Sequence, residues 1–280
     1  MSHTASERYC LDEVRRHDHD RYLTALFLPA DRRAAALALY AFNLEIARTR
    51  EIVSEPLLGQ IRLQWWRETI EGIFEGTPRE HPVVDALDVA IRLHDLPRDR
   101  IEAMIDAREA DLDDAPPGDL HTLETYARET SGALSALVMR CLAGSNDTAL
   151  DAARLAGTAW AIIGLARAVG FHAQTQRLYI PEDLLSEYEV ERRRLFDLKP
   201  SAGLNRAIEV MIMRADELLH EARSCSGDIP KTARRGLLLG VLGDRHIAAI
   251  RKAGFDPFAI PAAHPPPAIR LAWAAWRGRY

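Results

Sequence analysis

Apolar residues along this chain recur at i, i+3, i+4 and i+7, which stacks them on one side of an α-helix. A stretch opened by Pro29 and Asp31 runs through Leu37, Tyr40, Leu44 and Arg48. Pro56 opens the next, with Leu58, Ile61, Trp65, Ile70 and Phe74 as its expected buried stripe and Gly76-Thr77-Pro78 as its stop. Pro82 to Leu93 and Pro97 to Leu112 follow, then a long segment from Leu120 to Leu142. Gly144-Ser145-Asn146-Asp147 closes that segment, and Asn146 or Asp147 suits the N-cap of its successor. Ala149 to about Val169 is apolar nearly all round and belongs at the centre of a bundle. Gly170 to Asp183 reads as irregular, Leu204 to Ser224 and Thr232 to Ala253 as helices, and a proline-rich stretch precedes a short final helix. Short joints favour antiparallel neighbours, and no repeat or linker-like composition appears before Asp256. The pattern predicts one all-α domain of about ten helices over residues 1–255, with a proline-rich segment and a short amphipathic helix over 256–280.

Composition agrees with the pattern. Alanine, leucine, arginine and glutamate dominate, all strong helix formers, and the β-branched runs that announce strands are absent. Hydrophobic residues at 48% and charged residues at 28% fit a globular chain. A net charge of -5 gives no reason to expect nucleic acid, whose phosphates call for a clustered excess of cation. Cys10, Cys141 and Cys225 are odd in number and far apart, which implies neither a disulfide framework nor structural zinc and fits a reducing compartment. No run resembles a signal-peptide core or reaches the roughly 20 apolar residues of a membrane span. The expected location is the cytoplasm, with peripheral contact at the inner membrane as the furthest membrane role.

Several segments carry a family likeness. Leu26-Phe27-Leu28-Pro29-Ala30-Asp31-Arg32-Arg33, followed by Leu39-Tyr40-Ala41-Phe42-Asn43, resembles the opening helices of the squalene/phytoene synthases, the head-to-head isoprenoid synthases. Leu63-Gln64-Trp65-Trp66-Arg67-Glu68 is similar to their Trp-Arg helix. Ala110-Asp111-Leu112 and Thr130-Ser131-Gly132-Ala133-Leu134 fall at their middle stretches. Gly157-Thr158-Ala159, Arg167, Val169-Gly170 and Arg177 to Leu184 resemble the second active-site helix and the loop after it. The likeness runs from about Tyr22 to Ile250 and implies a helical bundle around a central pocket. In that family two prenyl diphosphates are held through Mg²⁺, a hard cation that takes carboxylate and phosphate oxygens. The likeness implies an aspartate-rich motif on each of two facing helices.

This chain departs from the family at both motifs. Ala47 and Arg48 align where the first has paired aspartates, leaving Glu51 as the acid on that stretch. Gly164 and Ala168 align with the second motif, and Phe171 and His172 replace the acidic pair after it. A cation in place of a metal ligand repels the ion. Two readings stand for the arginines around the implied pocket. Arg48, Arg62, Arg167 and Arg177 together bind an anionic head group without metal, or they pair with Glu45, Glu51, Asp111 and Glu68. The implied pocket residues are Tyr40, Asn43, Arg48, Glu51, Arg62, Asp111, Gly164, Arg167, Ala168, His172, Arg177 and Tyr179.

Asn43-Leu44-Glu45-Ile46-Ala47, Ile52-Val53-Ser54-Glu55, Arg62-Leu63-Gln64-Trp65-Trp66 and Leu165-Ala166-Arg167-Ala168 with His172 resemble one branch of the family, that of the mitochondrial complex I assembly factor. This likeness implies a role in respiratory NADH dehydrogenase biogenesis or a related membrane process, with a subunit or assembly protein as partner. It implies no prenyl synthase activity and no cofactor. The alternatives are a prenyltransferase with an atypical site, which would bring Mg²⁺, or an isoprenoid- or lipid-binding protein.

Other constellations are weaker. His17-Asp18-His19-Asp20 offers metal-type side chains, but neighbours on a helix diverge. Glu102, Asp106, Glu109 and Asp113 form an acidic face with Arg98 and Arg108 nearby, as an outer face would. Nucleophile-elbow and phosphate-loop motifs are absent. At the C-terminal end Ile269, Trp273, Trp276 and Tyr280 share one side of a helix accompanied by Arg270, Arg277 and Arg279. That combination suits either an interfacial membrane helix or a terminal helix docked on its own domain.

Overall fold

The computed structural model describes residues 4–53, 55–260 and 268–280. The chain is all-α, with no strand among the described residues. It opens ahead of the first segment read from the sequence. Helix α1 (Ala5–His17) starts at a reciprocal capping box, in which the Glu7 amide donates to Thr4 Oγ1 and the Thr4 amide donates to the Glu7 carboxylate. Asp18 caps α2 (His19–Ala25) by accepting from the Arg21 amide. Then come α3 (Ala30–Ala47), α4 (Thr49–Ile52) and α5 (Pro56–Glu75), which stops at Gly76 with φ 82. Next are α6 (Pro82–His94), α7 (Arg98–Ala107) and a 3₁₀ turn, Arg108–Leu112.

The predicted Leu120–Leu142 helix is interrupted. It divides into α8 (Leu120–Ala127), a π turn at Arg128–Gly132 and α9 (Ala133–Ala143). Asn146 caps α10 (Asp147–Arg167), and the stretch expected to be irregular begins with α11 (Val169–Gln174). The short α12 (Glu182–Glu187) and α13 (Arg192–Phe196) lead to α14 (Ala202–Ser224), α15 (Leu239–Lys252) and α16 (Ala268–Arg277). The expected count of about ten rises because α4, α11, α12 and α13 are only one or two turns each. Such pieces form through tertiary packing and leave almost no periodicity to read. The proline-rich residues 261–267 lie outside the described residues.

Two large apolar cores meet in the bundle, beside a smaller third one under α16. One joins α1, α3, α5, α6, α7 and α9, where Phe42 meets Trp66 edge-on at 5.4 Å between ring centroids. The other gathers α10, α14 and α15 around Ala156, Ile163, Ile208 and Ile247. By length and composition α10 could cross a membrane, but here it is the central helix, packed on α9, α14, α15 and the π turn. Its crossing with the π turn leaves no room for side chains. A Cβ on Gly157 would lie 2.4 Å from the Ser131 carbonyl oxygen, and one on Gly132 would lie 3.0 Å from that of Arg154. The helices consequently approach closely enough for the turn to carry Thr130 and Ser131 to the seam between the two cores, where a cavity opens.

Candidate functional site

The cavity holds about 440 Å³ between the start of α2, the end of α3, the π turn and α10. Asn43 and Ala47 come from α3, Arg48 from the joint between α3 and α4, Glu51 from α4, and Trp160 and Gly164 from α10. Asn43, Arg48, Glu51 and Gly164 thus line one space, and Ala47 joins them. Tyr40 lies one turn deeper on α3 and is buried, with the Arg21 guanidinium 5.7 Å from its ring centroid. Ala168 caps the end of α10 and is not among the lining residues.

Asp111 sits behind the wall as an organiser. Its buried carboxylate accepts Tyr126 Oη at 2.7 Å and Tyr179 Oη at 2.9 Å on Oδ1, and Arg108 Nη1 at 3.2 Å on Oδ2. Arg108 also donates to Tyr126 Oη at 2.7 Å and to Asn43 Oδ1 at 3.1 Å, so it ties the 3₁₀ turn to α8 and α3. Burial pulls the Arg108 guanidinium down, but Tyr126, Asp111 and Tyr179 outweigh it and leave the group above its usual range. Burial raises both phenols, so Tyr126 and Tyr179 stay protonated and act as donors. Arg177 donates to the Asp111 carbonyl oxygen, and His172 packs on Tyr179 at 4.7 Å between centroids. Burial, reinforced by Arg177, lowers the His172 imidazole to about 4. Arg177 and Tyr179 line a separate depression, which shares Tyr126 with the main cavity.

The four arginines expected around one anion, Arg48, Arg62, Arg167 and Arg177, are dispersed. Of these four, Arg48 alone lines the main cavity. Arg62 pairs with Glu45 at 2.6 Å, and Arg177 is engaged as described. Arg167 faces His246 Nε2 at 3.2 Å, with Asp20 Oδ2 3.5 Å beyond the same nitrogen. Glu68 bonds Arg79 rather than a pocket cation. The acidic outer face is covered by arginine: Arg67 reaches Asp106 and Glu109, and Arg98 reaches Glu102.

Other residues of the cavity wall escaped the sequence reading. Arg21 is buried and donates to Asp18 Oδ2 and Ser131 Oγ, each at 2.7 Å, joining α2 to the π turn. Arg108 and Tyr126 also reach the cavity. Their only local signal is an opposite charge three positions away, in Asp18–Arg21 and Arg108–Asp111. Arg206–Glu209 and Asp151–Arg154 have the same spacing and lie at the surface, so the spacing alone does not separate wall from exterior.

The donor set does not suit a Mg²⁺ cluster. Asp18 and Glu51 are the carboxylates of the cavity wall; Asp18 is bound to Arg21, and Glu51 lies 4.0 Å from Arg48. Across from them α10 presents Gly164, whose Cβ direction meets nothing within 4 Å. Among the described residues, no three His, Cys, Asp or Glu side chains are placed to hold a metal ion. What the wall does offer is Arg48, half-exposed and held only loosely by Glu51, as a donor for an anion.

Comparison with known proteins agrees with this architecture. The chain is 30% identical over 279 residues to the NADH dehydrogenase (ubiquinone) complex I assembly factor 6 of Bos taurus, covering 99% of this chain and 84% of that protein. It is 26% identical to a phytoene synthase of Rhodobacter capsulatus, over 90% of this chain and 75% of the relative. Its fold superposes on a dehydrosqualene synthase crystallised with ligand, with a TM-score of 0.86 at 19% identity, over 97% of this chain and 95% of the other. It also superposes on the squalene synthase HpnC of Alicyclobacillus acidocaldarius, with a TM-score of 0.79 at 21% identity, over 89% and 94%. The sequence profile of the squalene/phytoene synthases matches residues 14–277, nearly the whole chain, and the chain belongs to the squalene/phytoene synthase family.

Proposed function

We propose that this protein acts in the biogenesis of respiratory complex I and does not condense prenyl diphosphates. One observation carries the reading: Ala47 and Arg48 at the end of α3 and Gly164 on α10 line the same cavity, at the positions where the family's metal-binding carboxylates align. A guanidinium there opposes a divalent cation by charge. The assembly role draws its support from relatives named complex I assembly factor 6, alike over almost the full chain. The partner is then a complex I subunit or another assembly protein. A second reading has one observation in its favour, the persistence of a cavity of about 440 Å³ with Arg48 at its wall. On that reading the cavity binds an anionic isoprenoid or lipid.

Deleting the gene in its host tests the assembly role. The expected result is loss of assembled complex I on native gels with succinate oxidation unchanged, restored by the wild-type gene. Normal complex I in the deletion strain overturns it. Purified protein incubated with labelled farnesyl or geranylgeranyl diphosphate and Mg²⁺ tests the second half. Chelator-sensitive product above the blank would revive the synthase. Replacing Arg48→Asp and Gly164→Asp together should create Mg²⁺ binding detectable by calorimetry where the wild type shows none. An equal heat from both proteins would refute the charge argument.

A further inference from the structure

We propose that α16 is a membrane-contact element that lays the protein on an anionic lipid surface. This goes beyond the assembly reading and does not rest on it. Docking and lipid contact stood as alternatives for this helix, but its two faces can serve both. Leu271 and Ala274 are buried against Leu238, Leu239, Val241 and Leu242. At about 100° per residue, Ile269, Trp273 and Trp276 point the opposite way; they are 88%, 55% and 75% exposed.

The helix cannot roll to hide that stripe, because its end is pinned. Arg223 Nε donates to the Tyr280 carbonyl oxygen at 2.7 Å, and Tyr280 Oη donates to the Ala222 carbonyl at 3.3 Å. The two indoles stand 5.4 Å apart, with the Arg277 guanidinium 4.4 Å from the Trp273 ring centroid. Arg270 and Arg277 fall on one flank of the stripe, and Arg279 follows. No acidic side chain occurs in residues 268–280. Asp244 approaches Arg270 at 3.9 Å, but Arg223 already holds it at 2.8 Å.

The chemistry favours a lipid headgroup layer over a protein. Indoles partition to the headgroup level, an isoleucine reaches the acyl boundary, and flanking guanidinium groups meet phosphates. Stable protein interfaces bury roughly 800 Å² per partner, more than the outer face of a ten-residue helix supplies.

The test uses the full chain and vesicles of phosphatidylcholine, alone or enriched in phosphatidylglycerol. The wild type is expected to sediment with the phosphatidylglycerol vesicles and much less with the neutral ones. Trp273→Ala with Trp276→Ala should weaken binding by about tenfold or more, with the circular dichroism spectrum unchanged. Arg270→Gln and Arg277→Gln, which leave the buried Leu271 and Ala274 face intact, should each weaken it by about fivefold. Three results would overturn the proposal: no vesicle binding by the wild type, binding that survives the double tryptophan variant, or a wild-type dimer that this variant converts to monomer without lipid.

Discussion

Replacing Arg108 by methionine removes the cation at the centre of the cavity wall while keeping the stem's apolar volume. In the wild type Asp111 Oδ2 accepts from Arg108 at 3.2 Å, while Oδ1 keeps Tyr126 and Tyr179 at 2.7 and 2.9 Å. Removing one partner of a buried ion pair costs about 3–5 kcal/mol. Two surviving hydroxyl donors place this case at the low end, and a second point lowers it further. Arg108 Nε has no hydrogen-bond partner, so the guanidinium itself carries an uncompensated desolvation penalty that methionine lacks. The expected loss is therefore about 2–3 kcal/mol by urea unfolding, at or just below the low end of that range. Asp111→Asn keeps an acceptor for both tyrosines but leaves Arg108 without its carboxylate, for an expected loss of about 2 kcal/mol. The double variant should cost less than the two added together, giving a coupling energy of about 2 kcal/mol. Additivity to within about 0.5 kcal/mol, with both circular dichroism spectra native, would show that the pair does not organise the wall.

Gly157→Ala should destabilise the fold by about 2–3 kcal/mol, because the new methyl meets the Ser131 backbone at the α10 crossing; an unchanged thermal midpoint would refute the close-approach argument. His172 titrates near 4 in the folded chain against an ordinary 6.5, so below 6.5 the unfolded state binds the extra proton. Its contribution is therefore full above 6.5 and drains away as pH falls toward 4, by about 3 kcal/mol in all. His172→Phe, which preserves the packing on Tyr179, should show a shallower loss over that window, and parallel stability curves for the two proteins would rule this out.

Helical class, the α10 core helix and most helix boundaries were legible in the sequence, because each depends on spacing and caps within a few residues. Asn146 capping α10 and Gly76 ending α5 are of this kind. So is the absence of a carboxylate at Ala47, Arg48, Gly164 and Ala168, the positions where the family resemblance implies metal motifs. The π turn was not legible: its register follows from the contact between Ser131 and Gly157, more than twenty residues apart in the chain. Nor was the pairing of charges. Arg108 and Asp111 look like any surface pair until α3 and α8 close over them, and Arg167 meets His246 only when α15 packs on α10.

The sequence by itself determined that this is one helical bundle and that Ala47, Arg48, Gly164 and Ala168, none of them a carboxylate, stand toward the ends of two of its helices, because hydrophobic period and residue identity are local properties. Tertiary structure decided which arginines face the cavity, which are held in ion pairs, and which side of α16 faces outward. Those outcomes depend on side chains brought together from distant elements, where burial and partner geometry, rather than charge count, set what each group can do.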